Sequence, residues 1–275
     1  MANPDLIKIF TDTRLQYTKH PTLLAACAAS REKQFFYREG IFNHGESSFD
    51  FDKNRFEDEA SVIVSNKRSF EAAEQYAKKG MKTCVLNFAN FQHAGGGVFH
   101  GSGAQEESLC RTSTLFDAIG TPEMHKVFYD PHIELDDTEA NDDAIYTPGV
   151  VVFKTDEYKP KMRPESEWFS VDVITCAAPC LGWGCGEISD KKLFALHESR
   201  ARQILSIAAK NGADSLILGA FGCGAFQNPP EIVASAYKKV LPEFSHAFRI
   251  VEFAVFYVQN EIRNFEAFRA AFGSK

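Results

Sequence analysis

From Ser61 onward, short apolar runs alternate with stretches whose apolar residues recur at helical spacing. Val62-Ile63-Val64 is one run of strand length, and residues 83–86, ending at Asn87, are another. Between them Phe70, Ala73 and Ala77 share one helical face, with Ser69 placed to cap and Gly80 to stop the turn. Strand, helix and strand in so short a span predict a βαβ unit. A glycine-rich stretch follows at 95–103, then a predicted helix at 105–116. Residues 121–143 are acidic, without a repeat, and read as a long surface loop. Further strands are predicted at 144–146, 150–153 and 171–176. Ser189 caps a long helix with the stripe Leu193, Leu196, Ile204, Ile207 and Ala208, which Gly212 ends. Residues 215–218 form a strand that runs into a second glycine-rich stretch, 219–226. Pro229 and Pro230 open a helix, 249–258 is a last strand, and 261–272 a last helix. The N-terminal part, 1–60, is mostly polar with helical character at 22–36, and reads as an N-terminal helical accessory region. The alternation favours one α/β domain at 61–275.

Composition narrows the function. A net charge of −7 and a pI near 5.7 argue against broad or sequence-specific nucleic-acid binding. They leave room for an anion held on backbone N–H groups. Seven cysteines, irregularly spaced among apolar residues, read as reduced buried thiols. The first residues carry acids and lack the apolar run of a secretory signal, and no stretch approaches the roughly 20 apolar residues of a membrane span. The expected location is cytoplasmic, or nuclear in a eukaryote. Cys176, Cys180 and Cys185 match no common zinc spacing, and Cys176 is expected to end a strand facing the core. Cys110 reads as a packing residue.

Both glycine-rich stretches follow a strand and precede a helix. Glycine lets the backbone approach a ligand and turn its N–H groups inward, and a helix N-terminus adds partial positive charge. Two such loops on neighbouring strands suit a diphosphate. The alternative is a pair of tight turns. Neither loop is followed by Gly-Lys-Ser/Thr, and neither fits a dinucleotide fingerprint with its acid. Glu106 and Glu107 stand just beyond the first loop. Adjacent helical residues lie about 100° apart, so the two acids are expected to divide labour. They also suit a helix first turn simply as charges. His93 and His100 flank the loop as exposed histidines, while Phe99 stands equally between ligand contact and packing.

Gly95-Gly96-Gly97, seven residues, then Gln105-Glu106-Glu107 resembles the signature of the poly(ADP-ribose) glycohydrolases. Leu86-Asn87-Phe88-Ala89-Asn90 before it and Ser108-Leu109-Cys110-Arg111 after it agree, and 218–226 resembles the family's second phosphate loop. The stretch Val173-Ile174-Thr175-Cys176-Ala177-Ala178-Pro179 is similar to the microbial type. The likeness spans about 60–258 and leaves 1–60 unmatched, and Phe221 stands where tryptophan is common. The resemblance implies a macrodomain-like three-layer α/β/α sandwich with a mixed central sheet, carrying ADP-ribose in a cleft at the strand ends. It implies cleavage of ribose–ribose O-glycosidic bonds of ADP-ribose polymers, with poly(ADP-ribose) or ADP-ribosylated macromolecules as substrate and ADP-ribose as product. Alternatives are a non-catalytic ADP-ribose reader and a mono-ADP-ribosyl hydrolase. By the same resemblance Glu107 is the catalytic acid and base, and Glu106 its partner on the ribose hydroxyls. Asn90 binds the distal ribose, with Gln105 among the substrate contacts. Gly95, Gly96, Gly97 and Val98, with Gly222, Cys223, Gly224, Ala225 and Phe226, hold the diphosphate, and Phe226 packs on the distal ribose or adenine side. No metal or cofactor is required. A helix N-terminus favours carboxylate, so a proton on Glu107 is expected only once substrate phosphate lies alongside.

Overall fold

Successive side chains of each central strand enter opposite apolar layers, and this alternation organises the molecule. The computed structural model describes residues 2–43, 50–135, 138–182, 188–259 and 261–273. In chain order the elements are α1 (Pro4–Lys19), α2 (Pro21–Lys33), β1 (Phe35–Tyr37), β2 (Ser61–Ser65), α3 (Ser69–Ala77) and β3 (Thr83–Ala89). Next come α4 (Gln105–Thr112), α5 (Leu115–Ile119), α6 (Pro122–Met124), α7 (Asp130–Leu135), β4 (Ala144–Val152) and β5 (Phe169–Ala177). The chain continues with α8 (Asp190–Lys210), β6 (Ser215–Leu218), α9 (Pro230–Val240), β7 (Ile250–Ala254) and α10 (Arg263–Phe272). One sheet runs β1-β4-β5-β3-β6-β7-β2. It is parallel from β5 to β2, while β4 is antiparallel to β1 and β5. A parallel sheet covered on both faces needs strands apolar on both sides, which explains the near-continuous runs of the sequence.

Cys84, Leu86, Ile174, Cys176, Leu216, Leu218, Val251 and Phe253 pack with residues of α8, α9 and α10. Val85, Val171, Val173 and Ile217 pack on the opposite face with residues of α1, α3, α4 and α5. The expected three-layer α/β/α sandwich with a mixed sheet is therefore present. The first residues are tied to that core. Asn3 caps α1, whose Leu6, Phe10, Thr13 and Tyr17 are buried. Thr13 Oγ1 donates to the Arg111 carbonyl at 2.5 Å. Lys154, 2% exposed, donates to Asp12 at 2.7 Å and to the Ile9 carbonyl at 3.1 Å.

Several local expectations need correction. The strands expected at 144–146 and 150–153 are one strand with a bulge between Thr147 and Val150. Pro148-Gly149 is that bulge: Gly149 has φ +68° and donates its N–H to Asp172. The expected loop at 121–143 contains α6, a π-helical turn at His125–Tyr129 and α7, with Phe128 and Tyr129 fully buried. Its acidic composition hid a short apolar anchor. The predicted helix 105–116 breaks at Ser113, which bridges to Val152. Arg68, not Ser69, is the cap of α3, its N–H donating to Glu71. Cys185 lies outside the described residues.

Candidate active site

β3 delivers the chain into the first glycine loop, and α4 turns two acids back onto it. Asn90 Oδ1 accepts the N–H groups of Gln92 and His93 at 2.8 and 2.9 Å, which starts the turn. Gly95 and Gly96 take φ of +71° and +56°, conformations that glycine adopts without strain. Glu106 Oε1 accepts from Gly95 N–H and Asn87 Nδ2, each at 3.2 Å, and Oε2 from Asn90 N–H at 2.7 Å. Glu107 Oε1 accepts from Gly97 N–H at 2.8 Å. Gly96 N–H goes to the His93 carbonyl and Val98 N–H to the Gly95 carbonyl.

Every amide from Gly95 to Val98 thus has a protein acceptor. Two of these donors hold the acids and two close the loop on itself. Its glycines serve close approach. A Cβ on Gly96 would lie 2.7 Å from Glu107 Oε1 and 3.1 Å from Glu106 Oε2. Despite leaving the helix in different directions, both carboxyl groups reach the same point above Gly96.

Gln105 is a brace. Its Oε1 accepts from Phe88 N–H at 2.9 Å, and its Nε2 donates to Ser69 Oγ and the Leu86 carbonyl at 3.0 and 2.8 Å. Asp156 accepts from the N–H groups of Phe70 and Glu71 and from Ser108 Oγ, joining the start of α3 to the first turn of α4. Burial pushes the Glu106 carboxyl up to about 8; the Asn90 N–H opposes this and the Glu107 charge adds to it. Burial raises Asp156, against the pull of Arg68. Arg111, buried one turn beyond Glu107, donates to the Ser102 carbonyl at 2.6 Å and so fixes the far side of the loop.

The second loop follows β6, the neighbour of β3, so both loops leave the same sheet edge side by side. Gly222 has φ +75°. Asn228 Nδ2 donates to the carbonyls of Pro179 and Gly222 at 2.7 and 3.0 Å. His197 Nε2 lies 2.8 Å from Asn228 Oδ1. Burial holds the His197 imidazole down to about 4, which makes it a neutral donor to that oxygen. The N–H groups of Gly224 and Ala225, both exposed, have no acceptor among the described residues.

Between the loops lies a cleft of about 1070 Å³. Asn90, Gly96, Gly97, Gln105, Glu106, Glu107, Gly222, Gly224, Ala225 and Phe226 all line it. Gly95, Val98 and Cys223 do not: Val98 is fully buried in the core, a Cβ on Gly95 would meet the Phe116 ring, and Cys223 Sγ donates to the Phe221 carbonyl. Sequence reasoning missed Lys67, Arg68 and Phe256, which line the cleft beyond β2 and β7. The rule that ligands bind beyond the carboxyl ends of parallel strands would have found them. Asp156 had no local signal.

Residues 11–155, more than half of the chain, match the family model of the microbial-type PARG catalytic domain. The chain belongs to the microbial-type poly(ADP-ribose) glycohydrolases. The glycohydrolase family thus takes in most of the N-terminal part that the sequence resemblance left unmatched. Among solved structures, the glycohydrolase of Thermomonospora curvata is 25% identical with a TM-score of 0.87, over 98% of this chain and 100% of that one. The same protein bound to the inhibitor ADP-HPD gives 25% and 0.85, with the same coverage. The Deinococcus radiodurans glycohydrolase in complex with ADP-ribose is 28% identical with a TM-score of 0.78, over 89% of this chain and 96% of that one. No curated protein matches the sequence. The enzyme is a glycoside hydrolase of this class. Among the described residues, no helix is long and apolar enough to cross a membrane.

Proposed function

We propose that the enzyme cleaves ribose–ribose O-glycosidic bonds of poly(ADP-ribose) in a cytoplasmic setting, with Glu107 as acid and then base. The observation that carries this is the meeting of two carboxyl groups above Gly96, on the floor of a cleft flanked by an open backbone loop. Glu107 Oε1 is held by Gly97, while Oε2 has no protein partner among the described residues. That oxygen is the one to protonate the departing ribose oxygen. The C1–O bond then breaks toward an oxocarbenium-like centre, and the resulting carboxylate takes a proton from the attacking water. Two-carboxylate glycosidases set their acids across the bond, about 5–9.5 Å apart. Here both acids come from one helix turn, so one residue does both proton transfers.

Glu106 Oε2 accepts one N–H and keeps a lone pair for a ribose hydroxyl. Asn90 and Phe226 frame the distal ribose, and the diphosphate takes the amides of Gly224 and Ala225. The relatives solved with ADP-ribose and with ADP-HPD support a ligand of this chemistry. Residues 1–60 act as a supporting layer for the glycohydrolase unit at 61–275. The test is incubation with defined poly(ADP-ribose) and with mono-ADP-ribosylated protein. Release of ADP-ribose from polymer is expected. Binding of ADP-ribose without release from either substrate would make the protein a reader.

A further inference from the structure

The cleft, at about 1070 Å³, stands at the upper end of the roughly 300–1,000 Å³ common for a single small ligand. The sheet order separates its ends. Lys67, Arg68 and Phe256 follow β2 and β7 at one edge of the sheet. Phe99, Phe116 and His125 lie with α1, α5 and α6, and α5 packs on β4 toward the other edge. The two glycine loops and the acids stand between. Each end carries one exposed aromatic ring, Phe256 at 46% and Phe99 at 47%. A single ADP-ribose has only one adenine to offer them.

Phe99 is a supported platform. Phe10 meets it at 5.1 Å and 85°, and Phe116 at 5.4 Å and 80°, both edge to face. Such contacts hold a ring while leaving surface free for stacking. The Arg14 guanidinium lies 5.5 Å from its centroid. The imidazoles of His93, His100 and His125 line the cleft as well. In a chain of net charge −7, this grouping suits phosphate.

We propose that Phe99 stacks the adenine of the leaving ADP-ribose unit, so that the cleft reads two consecutive units of the polymer. This rests on the polymer reading above. It makes Phe99 a specificity-determining residue, and it gives α1 a role in substrate choice, since Phe10 and Arg14 build the platform.

The experiment compares the parent with Phe99→Leu, which keeps apolar bulk but removes the flat face, and with Phe99→Ala. Base–aromatic stacking predicts a polymer KM raised on the order of tenfold. The Kd for free ADP-ribose, which occupies the other end, and the rate on a mono-ADP-ribosylated peptide should match the parent. An unmoved Kd also certifies the fold. Arg14→Gln should flatten the salt dependence of the polymer KM. A polymer KM that does not move in either Phe99 variant overturns the proposal. So does an ADP-ribose Kd that rises in step with it. A parent protein that releases nothing from polymer overturns the glycohydrolase reading itself, and is seen before any variant is made.

Discussion

In the loop after β3, the amides of Gly95, Gly96, Gly97 and Val98 all point to protein acceptors, two of them the carboxylates of Glu106 and Glu107. In the loop after β6, Gly224 and Ala225 keep their amides open, and stiffness comes from Asn228 behind them. Two glycine-rich segments in the same strand–loop–helix setting therefore use their amides differently. In the first, glycine matters because it lacks a Cβ where two acids must come close. In the second, it matters because its backbone faces the cleft. On the function proposed above, proton transfer and anion binding sit on separate loops, and substitutions should separate them.

The largest effect is expected at Glu107. Glu107→Gln should lower kcat by about a thousandfold or more, with ADP-ribose affinity close to the parent's by calorimetry. A folded, active variant would remove the first loop's catalytic role. Gly96→Ala comes next. The position combines φ +56° with a Cβ 2.7 Å from Glu107 Oε1, so a kcat loss on the order of a hundredfold is expected from displacing a general acid. Titration with ADP-ribose should show affinity far less changed than turnover.

Asn228→Ala tests the other loop. It removes the side-chain donor to the Pro179 carbonyl and one of the two donors to the Gly222 carbonyl, costing about 1–3 kcal/mol in a denaturant melt. It should weaken ADP-ribose binding more than it slows saturated turnover. Equal losses in Kd and kcat would mean that the loops act as one unit.

The last effect is one of pH. Glu106 is raised in the folded state to about 8, above its ordinary value near 4.5. Its contribution is complete below about 4.5 and is lost as pH rises through 8. Stability of the parent relative to Glu106→Gln should therefore fall between pH 5 and 9, by on the order of a few kcal/mol. A constant offset is expected as well, because the new amide must turn an N–H toward one of the donors that now meet Oε1 or Oε2. A difference that is flat with pH would show Glu106 to be charged throughout.

The sequence made the sheet legible because buried parallel strands must be apolar on both faces, and 215–218 matches β6 residue for residue. It also made the acids and both loops legible, since glycine and glutamate at fixed spacing carry local meaning. α1 was missed although Leu6, Phe10, Thr13 and Tyr17 mark a buried face at helical spacing. Its apolar stripe is narrow, with threonine at one position. The way the loop's amides are used could not be read at all, because the direction of an N–H depends on contacts such as Asn87 to Glu106 across the fold. The brace roles of Gln105 and Asp156 have the same origin. Both are set by partners on other elements, and nothing beside them in the chain announces it.

The buried cysteines have a practical use. Cys84 and Cys176 lie under one helical layer, Cys110 under the other, and Cys27 between α2 and β4. All four are at most 1% exposed, and burial pushes their thiols up, to about 12 for Cys27 and Cys176. In the native state they should be silent to alkylating reagents, since the thiolate is the reactive form. The order in which they become labelled under mild denaturant would then time the opening of each layer, and tell whether the N-terminal layer peels from the sheet before the catalytic layer does.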